Sequence, residues 1–100
     1  MIVVQVEVKV EPGSADNARD AVAKMETATR QEAGCKKYAF SVDISDPGMI
    51  RVTETWESMD AIKAYMASPH MAEFNKAVMA LKPKGLDIKA YEVEREVALG

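Results

Sequence analysis

The sequence predicts an α+β domain of the ferredoxin-like type. The order is β-α-β-β-α-β, with an antiparallel sheet of order 4-1-3-2 and the helices on one face. Three observations carry this. Residues 2–11, 36–44 and 49–57 alternate with period two, the first of them in β-branched side chains. Apolar residues recur at helical spacing after the first and third of these strands. The chain has 100 residues, which leaves room for one core and so one domain spanning 1–100.

In the first strand, residues 2–11, Ile2, Val4, Val6, Val8 and Val10 share one face, and Pro12-Gly13 ends it. Ser14 is suited to cap the next helix, with Asp16 in its first turn, where the dipole favours an anion. Ala18, Ala21, Val22, Met25, Ala28 and Thr29 form its buried stripe, and Gly34 suits a left-handed C-terminal position. The second strand, 36–44, turns Tyr38, Phe40, Val42 and Ile44 to one side. Ser45-Asp46-Pro47-Gly48 reads as a type II turn leading into a hairpin with the third strand, 49–57. There Ile50, Val52, Glu54 and Trp56 share a face, with Glu54 the polar exception. Ser58 caps a short helix whose apolar stripe is Ala61, Ile62, Tyr65 and Met66. Ser68-Pro69, a cap followed by proline at the first helical position, restarts it with Met71, Phe74, Val78 and Leu81 inward. Lys82-Pro83-Lys84-Gly85 ends this helix, and 86–97 form a last strand with apolar residues on both faces.

Composition narrows the function. The 13 basic and 16 acidic side chains give a net charge of −3 and no basic face, which argues against nucleic acid as a partner. No apolar run approaches the roughly 20 residues that cross a bilayer, so no membrane partner is expected. The N-terminal MIVVQVEVKV reads as a strand rather than a leader, and the single Cys35 forms no internal disulfide, so a cytoplasmic protein is expected. One His and one Cys are too few for an ordinary zinc site, and nucleotide-binding and serine-hydrolase motifs are absent. No metal is therefore expected. The helix-free sheet face carries Gln5, Glu7, Lys9, Ala39, Ser41, Arg51, Thr53 and Thr55. It fits a solvated face or a subunit interface of small and paired polar residues.

Gly34-Cys35 with Tyr38, then Glu54-Thr55-Trp56-Glu57-Ser58, then Ser68-Pro69-His70-Met71, resemble the antibiotic biosynthesis monooxygenase family. The string ETWESMDAIKAYMASPHMAEF is most similar to its quinol monooxygenase members. The resemblance spans nearly the whole chain. It implies a dimeric α+β barrel in which two sheets pack through their helix-free faces and the last strand reaches the partner. It also implies a pocket between sheet and helices, and cofactor-free oxygenation of an electron-rich aromatic such as a quinol, phenol or polyketide, with O₂. The chain departs from some polyketide-oxidising relatives in having Val52 where they carry Asn four residues before the Trp. Haem-degrading relatives use a first-strand Asn; here that strand offers only Gln5, on the other face.

Such chemistry needs a base, a way to stabilise the substrate anion, and exclusion of water. His70 is one candidate base. At the second position of a helix its imidazole is expected to be neutral at pH 7 and able to accept a phenolic proton; the alternative is local packing. Glu54 is the other, since desolvation raises a buried carboxyl; the alternative is a structural Glu bonded to a helix end, Lys or Arg. Trp56 is a pocket wall or a core residue. Tyr65 and Tyr38 offer hydroxyls or pack in the core. Met66, Met71 and Phe74 are core residues that also offer a lining for the expected cavity, as does Val52, with Asn75 inside it or at its edge. Cys35 reads as structural, although Lys36 and Lys37 favour a thiolate. The opposing function class is a non-oxygenating binding protein or isomerase on the same dimeric barrel, a reading that Val52 supports.

Overall fold

The computed structural model describes residues 1–100. Strand β1 covers Ile2–Lys9, helix α1 Arg19–Arg30, β2 Cys35–Asp43, β3 Asp46–Trp56, α2 Met59–Met66, α3 Pro69–Ala80 and β4 Gly85–Glu92. The four strands form one antiparallel sheet of order β2-β3-β1-β4, the expected ferredoxin-like topology. The register places Val4 and Tyr38 on either side of Glu54, and Val6 and Phe40 on either side of Val52. Residues paired in this way share a face. The inward side chains therefore run in rows across the sheet beneath the helices.

The core has two parts. Ile2, Val4, Met25, Tyr38, Val52, Trp56, Ile62 and Tyr65 pack together at one end. Val8, Val10 and Ile50 pack at the other, against Val78 of α3 and Leu81 just after it. Helix α1 is tied to the outer edge of the sheet. Arg30 Nε donates to the Tyr38 carbonyl at 2.9 Å, and the Phe40 amide donates to Glu26 Oε2 at 2.9 Å. Two side chains thus satisfy backbone groups that an edge strand otherwise leaves to solvent.

Three local expectations are corrected. Ser14 does not cap the first helix. Gly13, at φ +88°, precedes a 3₁₀ turn over Ser14–Ala18, and Ser14 Oγ donates to the Glu11 carbonyl instead. The hairpin turns at Ile44-Ser45, since Asp43 already pairs with Asp46. Pro47-Gly48 lies inside β3, where a Cβ on Gly48 would meet the Val10 carbonyl oxygen at 2.6 Å. Glycine is needed there because β1 passes close by, not to make a turn. Finally, β4 ends at Glu92, five residues before the expected end, and all eight of its residues are exposed. Leu86, Ile88 and Tyr91 have no cover on either face. No helix is long and apolar enough to cross a membrane.

Candidate functional site

The site is built from the end of β3 outward. Glu54 and Trp56 lie two residues apart and so on the same face. The Trp56 indole Nε1–H donates to Glu54 Oε1 at 2.9 Å. Trp56 is fully buried and Glu54 is 6% exposed. No Lys or Arg forms an ion pair with this carboxylate, and no helix end bonds it. The structural roles expected for Glu54 are absent, and its partner is the indole. Burial pushes the Glu54 carboxyl above the usual carboxylate range, and the indole hydrogen bond offsets this in part.

Beside this pair stand two phenols. The Tyr38 and Tyr65 hydroxyls are 2.8 Å apart, and the Tyr65 ring lies 4.9 Å from Trp56. Burial pushes both hydroxyls well above the ordinary phenol range, so both stay neutral. Tyr65 reaches this place because Ser58 caps α2 by accepting the Ala61 amide. Ser68 joins the two helices, donating to the Tyr65 carbonyl at 2.6 Å and accepting the Met71 amide at 3.3 Å. That junction sets His70 at the second position of α3, with its ring 6.2 Å from Tyr65.

The structure thus brings Glu54, Trp56, Tyr38, Tyr65 and Val52 into one cluster, with His70 at its margin and Met71 and Phe74 packed against it. Two expected residues are not part of it. Met66 is 63% exposed. It lies about 40° around the helix beyond Ile62, past the stripe that faces the sheet. Asn75 is exposed on the outer side of α3, because Phe74 and Val78 take the inward positions. Cys35 is half-buried. Burial and then the Glu54 charge push its thiol up, outweighing any pull from neighbouring lysines toward a thiolate.

The side chains of the cluster are themselves well buried, with Trp56 fully so. A hollow of about 370 Å³ lies between α1 and the β2–β3 hairpin and is lined by Val22, Phe40 and Ile50 among others. None of the expected site residues lines it. Sequence reasoning also missed Glu32, whose Oε1 lies 3.2 Å from His70 Nε2. One signal pointed to it: a glutamate just past a helix C-terminus is disfavoured by the dipole.

Residues 1–77 match the family model for antibiotic biosynthesis monooxygenase. The chain belongs to this family. It is 31% identical over 88 residues to the "Probable quinol monooxygenase YgiN" of Escherichia coli K12, covering 78% of this chain and 85% of the relative. Among solved structures, a Deinococcus radiodurans protein assigned to the same family superposes with a TM-score of 0.90 at 29% identity, covering 100% of this chain and 99% of that one. Rv0793 of Mycobacterium tuberculosis matches with a TM-score of 0.84 at 22% identity, covering 97% and 98%. That second likeness concerns the fold.

Proposed function

We propose that the protein is a monooxygenase of small electron-rich aromatics, with a quinol as the favoured substrate class. The observation that carries this reading is the buried Glu54–Trp56 pair beside the Tyr38–Tyr65 hydroxyls, with His70 at its edge. Family membership and the similarity to YgiN support it. The substrate enters beside His70, Met71 and Phe74, where the cluster's wall is only partly buried.

A base, His70 or Glu54, takes a phenolic proton. The quinol anion then passes one electron to O₂, and the resulting radical pair joins as a ring hydroperoxide. Loss of water leaves one oxygen atom on the ring as a new carbonyl. For a hydroquinone the sum is quinol plus O₂ giving hydroxyquinone plus water. The electrons come from the substrate, so no cofactor is required. In the Tyr38–Tyr65 pair one hydroxyl donates to the other, and the second donates to the developing anion, while the apolar wall keeps water from the intermediates.

The subunits pair through the helix-free sheet face and β4, forming a homodimeric barrel. This reading rests on the exposure of Tyr91 on the helix-free face and of Leu86 and Ile88 along β4, on the helix side beyond the helices' cover.

The test is oxygen uptake by the purified protein with hydroquinones, naphthols and anthrones. The expected outcome is one O₂ consumed per substrate, with turnover falling at least tenfold in His70→Gln or Glu54→Gln, in the range of general acid–base catalysis. The buried, apolar Val52 favours one other reading, a binding protein or isomerase. It predicts quenching of the single Trp56 by the same aromatics without oxygen uptake.

A further inference from the structure

Glu32 and His70 come from different parts of the chain. Glu32 follows α1 and His70 opens α3, yet their side chains meet at 3.2 Å. Both are mostly covered, with 21% and 25% of their side chains exposed. His70 Nε2 is buried with no aligned hydrogen bond, and Glu32 Oε1 is the acceptor within reach. A buried ring N–H without a partner is costly, and a small rotation of the imidazole aims it at this oxygen. The opposite tautomer would set a bare nitrogen lone pair against a carboxylate oxygen, which is repulsive.

We propose that Glu32 is a positioning residue for His70. It selects the Nε2–H tautomer of the unprotonated ring, fixes the ring against Tyr65, and so leaves Nδ1 as the nitrogen that takes the substrate's proton. This inference rests on the oxygenation reading above, in which His70 is a base. Glu32 itself touches no substrate. The bare alternative is a mechanical tie between the end of α1 and the start of α3.

Kinetics and ring nitrogen shifts together decide between them. In Glu32→Ala, kcat for hydroquinone oxygenation falls about tenfold while KM stays within twofold. The double variant Glu32→Ala/His70→Gln turns over no more slowly than His70→Gln alone, because both changes remove one unit. His70 is the only histidine, so its ring nitrogens give clean NMR signals. In the neutral ring of the native protein the two shifts stand at the limits of a single tautomer. In Glu32→Ala they move toward each other. A lower melting temperature with unchanged kcat and unchanged nitrogen shifts would leave only the tie and overturn the proposal. Additive losses in the double variant would overturn it as well, since Glu32 would then act without His70. If His70→Gln alone left oxygen uptake intact, or the native protein consumed none, the underlying reading would fail; unchanged nitrogen shifts count against Glu32 independently of either result.

Discussion

Glu54 is the residue whose environment is most at odds with its charge. It is buried, faces Val4 and Tyr38 across the sheet, and has one neutral hydrogen-bond partner. Its carboxyl is raised above the ordinary value of 4.5, chiefly by burial. Below that value the folded and unfolded chains both hold the proton, and Glu54 adds no pH dependence. From there up to the raised folded value, the folded chain keeps a proton that the unfolded chain has lost. Stability therefore falls as pH rises through this window, and the loss persists above it. Glu54→Gln keeps an acceptor for the Trp56 indole and removes the titration. Its melting temperature should match the native protein near pH 4 and exceed it by about 4 °C at pH 8, the shift that ~1 kcal/mol gives a domain of this size. A variant that melts lower at pH 8 would show that the native carboxylate is stabilised by a group outside this cluster. Alternation along β3 placed Glu54 and Trp56 inward, so their faces were legible in the sequence. The indole–carboxylate bond was not, because period two shows that two side chains share a face and not that they touch. Glu32 was less legible still, since it meets His70 only when the end of α1 packs against the start of α3.

At the scale of elements, the helix caps on Ser58 and Ser68 and the left-handed Gly34 were readable because each depends on adjacent residues. The hairpin was misplaced because Pro-Gly carries the same local signal for a turn as for a close approach between strands. Only the tertiary position of Val10 separates the two. Two glycines test how far a local rule extends. Gly13 and Gly34 have nearly the same backbone, at φ +88° and +84°. A Cβ on Gly13 meets nothing within 4 Å, whereas one on Gly34 meets the Ala61 Cβ at 2.7 Å. Gly13→Ala should cost about 1 kcal/mol, the strain of a left-handed alanine alone. Gly34→Ala should cost about 3 kcal/mol, because α2 must also move away from the turn that leads into β2. Denaturant unfolding of the two variants measures the difference. Equal losses would mean that α2 gives way without cost. The second outcome would also weaken the view that Ser58 and Gly34 together hold Tyr65 against Trp56.

At the scale of the whole molecule, the shape is a slab of 36 × 35 × 20 Å. Twenty ångströms is the thickness of one sheet and one helical layer, so the second sheet face has no cover within the chain. The surface confirms the imbalance. The chain exposes 6864 Å², against roughly 5,600 Å² expected for a monomer of 11.0 kDa. The excess, partly from the exposed residues after β4, exceeds the ~800 Å² that each partner buries in a standard interface. The charges on the uncovered face are largely matched within the chain. Arg51 is held by Glu7 at 2.9 Å and by Asp43, so its charge is matched before any partner arrives. Gln5, Thr53 and Tyr91 line a hollow of about 240 Å³ that a second sheet can fill. Light scattering at micromolar concentration should therefore give twice 11.0 kDa. Thr53→Arg sets an unmatched cation at the centre of this face, where burial of an unpaired charge is costly. It should return the mass to that of one chain while the helical signal in circular dichroism is retained. A native protein of single-chain mass would leave the sheet face solvated and β4 without a partner. A Thr53→Arg variant that still pairs would move the interface to the helices.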